Sequence, residues 1–116
     1  MRYAIFAATA QGGLLALQIR ELLLELGAAD VYLHTKIAEQ VLATAKPAEW
    51  QHSYIRLKDE MAAAFQRYDG LIFIMATGIV VRSIAAHLES KAADSAVLVL
   101  DEKGQHVISL LSGHLG

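Results

Sequence analysis

The sequence predicts an α/β fold in three layers, Rossmann-like or flavodoxin-like. A mostly parallel sheet would carry helices on both faces and close with a hairpin-like strand pair at its C-terminal end. Three observations predict it. Short apolar runs without polar interruption, such as Leu71 to Met75, suit strands buried on both faces, as parallel sheets require. Segments with apolar residues at helical spacing alternate with those runs. Hydrophobic residues make up 55% of the 116-residue chain and charged residues 19%, an apolar balance for this length. The chain fits a single domain, residues 1–116, with one core.

Tyr3 to Ala8 reads as a continuous apolar strand, which Gln11-Gly12-Gly13 breaks. Leu14 to Leu26 then sets Leu15, Ile19, Leu22, Leu23 and Leu26 at helical spacing, and Gly27 suits the helix C-cap. Asp30 to His34 resumes as a strand with Val31 and Leu33 on one face, completing a β-α-β unit. Lys36 to Ala45 is compatible with a short helix that Pro47 stops, and Trp50 to Ser53, the least regular stretch, reads as a loop. Leu57 to Tyr68 is a helix striped by Met61, Ala64, Phe65 and Tyr68, and Asp69-Gly70 turns into the strand Leu71 to Met75. Val80, Ile84 and Leu88 mark a helix over Ile79 to Leu88, behind Thr77-Gly78. Val97 to Leu100 is a strand, Asp101-Glu102-Lys103-Gly104 has hairpin-turn chemistry, and His106 to Leu111 returns beside it.

A net charge of -2 supplies no basic stripe for a phosphate backbone, which argues against nucleic-acid binding. The absence of cysteine excludes disulfides, thiolate metal sites and thiol nucleophiles, and fits a cytoplasmic protein. No apolar stretch is long enough for a secretory segment or a membrane span, so no membrane partner is expected. His34, His52, His87 and His106 lack the partner spacing of zinc sites, and most of them read as surface residues.

Ligands of open α/β sheets bind in the crevice outside the carboxyl ends of the strands. The turn after Met75 and the turn after Leu111 are therefore expected to face one site. Ala8-Thr9-Ala10-Gln11-Gly12-Gly13 offers backbone N–H groups to an anion, with Gly12 as its candidate residue. It is not GxGxxG and lacks the lysine and Ser/Thr that end a P-loop, so an ordinary tight turn is the simpler reading. In the second motif, Thr77, Gly78 and Arg82 are expected to converge on a carboxylate; alternatively Thr77 caps the helix and Arg82 pairs with Glu89 or Asp94. At the end, Ser112 and His114 flank Gly113, a pair able to donate to an oxyanion or move protons. Ser112 is not in a G-x-S-x-G elbow, which argues against a serine-hydrolase triad, and an exposed turn is the plainer alternative. Asp101 and Glu102 read better as a solvated turn than as a general acid and base.

From Asp69 to Gly116 the chain resembles one family closely, the cobalamin-biosynthesis CbiG family of the anaerobic route. GLIFIMATGIVVRSIAAHLESKAADSAVLVLDEKGQHVISLLSGHLG reads as that family's signature block nearly throughout, and the earlier half is compatible with its N-terminal domain. Ala86 and Ser95 stand where prolines are expected, a departure expected to bear on loop stiffness. The family pattern continues through a Gly-Ala-Asn segment to a separate C-terminal domain, so the resemblance implies an N-terminal piece of a longer protein.

The activity implied is hydrolytic opening of the δ-lactone of cobalt-precorrin-5A, with acetaldehyde released to give cobalt-precorrin-5B. No cofactor is implied, since the cobalt arrives with the substrate. The tetrapyrrole's carboxylates would give Arg82, the Thr77-Gly78 turn and Lys91 an orienting task. His114 would serve as general base and the Ser112-Gly113 region as oxyanion donor. Further candidate partners are neighbouring methyltransferases of the pathway and a second copy of the chain. The alternative is a domain that binds the corrinoid intermediate or docks a partner without catalysing. A flavodoxin-like or receiver-like function is disfavoured, because the first turn lacks a hydroxyl-rich phosphate loop and no acidic cluster caps the strands.

Overall fold

A computed structural model describes residues 1–42, 48–88 and 95–112, all but the side chains of Leu88 and Ser112. Strands β1 (Arg2–Ala7), β2 (Ala28–His34), β3 (Gln51–Tyr54), β4 (Gly70–Ile74), β5 (Ala96–Leu100) and β6 (Val107–Ser112) form one sheet in the order β3-β2-β1-β4-β5-β6. Every pairing is parallel except β5 with β6. Helices α1 (Ala10–Leu23) and α2 (Thr35–Val41) cover one face, and α3 (Leu57–Arg67) and α4 (Thr77–Leu88) cover the other. This is the mostly parallel, doubly covered sheet that the sequence predicts.

Strand alternation divides the core in two. Ile5, Ala7, Val31, Leu33, Ile72 and Ile74 face α1 and α2. Ala4, Phe6, Tyr32, Leu71, Phe73, Val97 and Val99 face the other way, onto Met61, Ala64, Val80 and Ile84 of α3 and α4. On that second face a row of rings crosses four strands at one level of the register. His52 stacks on Tyr32 at 4.5 Å, Tyr32 on Phe6 at 4.5 Å, and Phe6 on Phe73 at 5.1 Å. Each pair is a direct cross-strand partner, so the stack reinforces the register at the centre of the sheet.

Several local expectations change. Gln11-Gly12-Gly13 is the first turn of α1 rather than a break before it, because Thr9 caps the helix: its hydroxyl accepts from the Gly12 N–H at 3.0 Å. Gly27 has no left-handed φ and so is not that kind of cap. Residues 51–54 form the edge strand β3, not a loop, with Tyr54 buried on its inner side. Thr77 is the first residue of α4, and Ala76, which has no side-chain oxygen, holds the position before it. Residues 43–47, including Pro47, lie outside the described residues.

Ala86 lies inside α4, not in a loop, and Ser95 immediately precedes β5. Ser95 is buried, and its hydroxyl donates to the carbonyls of Tyr68 at 2.6 Å and Phe65 at 3.3 Å. It ties the start of β5 to the end of α3, a bond no proline makes.

Candidate functional site

The order of strands fixes which groups can meet. β1 and β4 are neighbours whose following helices, α1 and α4, leave toward opposite faces, the arrangement that opens a crevice at the carboxyl edge. The first turn of α1 packs hard on the end of β4, where a Cβ on Gly12 would lie 3.2 Å from Ile74 Cγ2 and 3.0 Å from Thr9 Oγ1. Gly12 is thus explained by close packing, and its N–H is occupied by the Thr9 cap.

Between α4 and the β5–β6 hairpin lies a cleft of about 200 Å³. Met75, Val99, Leu100 and Ile108 give it an apolar lining, and Thr77, Asp101 and His106 give it polar groups. Gly78 adjoins it on α4, and a Cβ there would meet nothing within 4 Å, so the backbone stands open at this point.

The hairpin wall of the cleft is held by Asp101. Its Oδ1 accepts from the His106 N–H at 2.7 Å and its Oδ2 from the Lys103 N–H at 3.2 Å. The bond from the His106 amide, more than any other cause, holds the Asp101 carboxyl below the usual carboxylate range. Gly104 closes the turn with φ 68° and donates its N–H to the Asp101 carbonyl at 3.0 Å.

β6, the strand that leads to the second of the two turns, ends at the amino edge of the sheet. β6 runs antiparallel to β5, pairing Val107 with Leu100 at the carboxyl end and Ser112 with Ala96 at the amino end. Four residue steps of strand, roughly 13 Å, separate the level of Ser112 from that of the cleft. Gly113 and His114 lie outside the described residues, as do Lys91, Glu89 and Asp94. Arg82 is exposed on α4 and does not line the cleft. It sits five residues after Thr77, about 140° further around the helix.

A second polar cluster, passed over in the sequence, lies on the α3 face toward the amino ends of β2 and β3. Tyr68 donates its hydroxyl proton to Asp30 Oδ2 at 2.6 Å, leaving the Tyr32 hydroxyl, at 2.8 Å, to donate to Tyr68. His52 Nε2 meets the same Asp30 oxygen at 3.1 Å. Burial first, then the hydrogen bonds to Asp30 and Tyr32, push the Tyr68 phenol above the ordinary tyrosine range. No cleft among those described opens on this cluster, and each member is bonded to another, so it reads as a packed network. Among the described residues no three His, Cys, Asp or Glu side chains gather as a metal site, and no helix is long and apolar enough to cross a membrane.

The family described as cobalamin synthesis G N-terminal matches residues 59–116. A cobalt-precorrin-5A hydrolase of Salmonella typhimurium is 62% identical over 53 residues, which is 46% of this chain and 15% of that protein. A cobalt-precorrin-5A hydrolase of Priestia megaterium is 52% identical over 56 residues, 48% of this chain and again 15% of the relative. The chain thus matches only a small part of these relatives. Among solved structures, one described as a cobalamin biosynthesis protein G homologue from Sulfolobus solfataricus superposes with a TM-score of 0.64 at 25% identity, covering 98% of this chain and 30% of the other.

Proposed function

The chain belongs to the cobalamin synthesis G N-terminal family, and from that premise we propose that it serves the hydrolysis of cobalt-precorrin-5A as the part that holds the substrate. The reaction is the opening of the δ-lactone by water, with acetaldehyde released and cobalt-precorrin-5B formed; the cobalt is carried by the substrate. In this reading the chain contributes one domain to a longer protein, in keeping with the 15% of each curated relative that it matches.

One observation carries the proposal. The cleft lies at the carboxyl edge of β4 and β5, and all its lining residues, from Met75 to Ile108, fall within the family match at 59–116. A cleft of about 200 Å³ is smaller than a pocket for a drug-sized ligand. It fits one edge of a tetrapyrrole, a lactone ring or an acetate arm, rather than the macrocycle. Apolar walls would take the carbon skeleton of that edge, while the Thr77 hydroxyl and the first amides of α4 would meet its oxygens. Gly78 lets the ligand approach the helix start, and Arg82 and Lys91 would attract the carboxylates of the remaining rim.

A second reading assigns the chemistry to this chain, with His114 as general base and the Ser112-Gly113 region stabilising the oxyanion. It rests on the family resemblance. The antiparallel course of β6 favours the first reading, because it sets Ser112 at the edge away from the cleft.

Acetaldehyde release from cobalt-precorrin-5A, measured with this chain and with a version extended past Gly116, separates the two. The proposal expects spectroscopically detected binding by the chain, and release when the extension is present. Release by the chain alone, abolished by His114→Ala with binding retained, would establish the second reading. Neither binding nor release in either version would defeat both.

A further inference from the structure

His106 is one of four histidines given no role in the sequence, yet it stands in the wall of the cleft. Its backbone is fixed on both sides of the turn. The His106 N–H donates to Asp101 Oδ1 at 2.7 Å, and its carbonyl accepts from the Asp101 N–H at 3.4 Å. The tip of the same hairpin abuts α1, where a Cβ on Gly104 would lie 3.3 Å from a Leu15 methyl. His106 therefore stands in a braced wall.

The other polar groups of the cleft are less free to act. Both Asp101 oxygens accept backbone N–H groups of the turn, and that carboxylate would repel an anionic ligand in any case. Thr77 carries one hydroxyl at the start of α4. The His106 ring, by contrast, makes no hydrogen bond or ion pair among the described residues. An imidazole N–H donates to a neutral oxygen acceptor, so it suits an ester carbonyl. With Thr77 and the α4 amides on one wall and His106 on the other, an oxygen-bearing group on an apolar body would be contacted from both sides.

We propose that His106 is a ligand-contacting residue that recognises a neutral oxygen acceptor, the lactone carbonyl, in the cleft, and that Asp101 positions it through the turn. The proposal rests on the substrate-holding reading above and deepens it. It assigns the recognition of one oxygen-bearing substituent to the β6 wall, distinct from Ser112 and His114.

The test titrates this chain with cobalt-precorrin-5A, reading affinity by absorbance and the His106 ring by nitrogen-proton correlation spectra. His106→Ala is expected to weaken binding at least tenfold, with His106→Gln recovering part of the loss through its amide. The ring signals of His106 are expected to shift on saturation, and circular dichroism to stay unchanged in both variants. Asp101→Asn should weaken binding less, and should add nothing in the His106→Ala background. Unchanged affinity in His106→Ala, or ring signals that stay fixed while the substrate saturates the chain, would overturn the role of His106 and leave the substrate-holding reading in place. No binding by the unaltered chain would overturn both.

Discussion

Tyr68 joins three parts of the molecule through one phenol: the end of α3, Asp30 and Tyr32 of β2, and through Asp30 the edge residue His52. Tyr68→Phe keeps the ring but strips Asp30 and Tyr32 of a buried partner, and is expected to cost about 1–3 kcal/mol in urea unfolding. Tyr54, buried beside β1 with its hydroxyl donated to the Ala7 carbonyl, is pushed up to about 12 by burial. A tyrosine raised on folding contributes stability that is present in full below its unfolded value of 10.0 and is lost as the pH climbs toward the folded one. Unfolding between pH 10 and 12 should therefore accompany phenol ionisation in an ultraviolet titration, and Tyr54→Phe should remove part of that dependence. At the site, Gly78→Ala meets open space and should stabilise α4 by up to about 1 kcal/mol while weakening cobalt-precorrin-5A binding. If affinity is unchanged, the ligand does not approach the helix at that point. Neither the phenol network nor the place of His106 was legible in the sequence, because both depend on strand register rather than on spacing within a segment.

The hairpin is the element on which the site depends. Gly104 holds φ 68°, so Gly104→Ala is expected to destabilise the turn by about 1–2 kcal/mol. Asp101→Ala removes the acceptor of the Lys103 and His106 amides, and hydrogen exchange at those two positions should quicken before that of β4. Since the Asp101 carboxyl is held low, its bracing is complete above the ordinary carboxylate range and fails as the pH falls through its lowered value. At acid pH the same amides should exchange as in the variant. The hairpin was legible from Asp101 to Gly104, and it carried a consequence: a returning strand ends at the amino edge, away from the turn after β4. The edge strand β3 was not legible. Gln51, His52 and Ser53 carry no apolar alternation, because an edge strand needs little more than one buried anchor, here Tyr54. The start of α1 was masked by Gly12 and Gly13, which are there for close packing against β4, β2 and α2.

For the molecule as a whole, the uninterrupted apolar strands and the helices between them were enough to predict a parallel sheet covered on both faces. The order β3-β2-β1-β4-β5-β6 was not readable, since comparable apolar strands fit several orders. The stack from His52 through Tyr32 and Phe6 to Phe73 shows what selects it: flat rings at one level across four strands. Phe6→Ala empties the middle of that stack and is expected to cost about 3–5 kcal/mol in urea unfolding, a large share of the stability typical of a domain. This architecture brings the β4–α4 turn and the β5–β6 hairpin together at the carboxyl edge, inside the segment that matches the family. The most direct test of the account is a residue-by-residue map of backbone amide perturbation as cobalt-precorrin-5A is added to the chain. The account predicts changes centred on residues 75–78 and 99–108, with smaller ones near Arg82 and Lys91 and the Asp30–His52–Tyr68 cluster unaffected. Saturable changes centred on the amino edge, around Ser112 and Ala96, would contradict it.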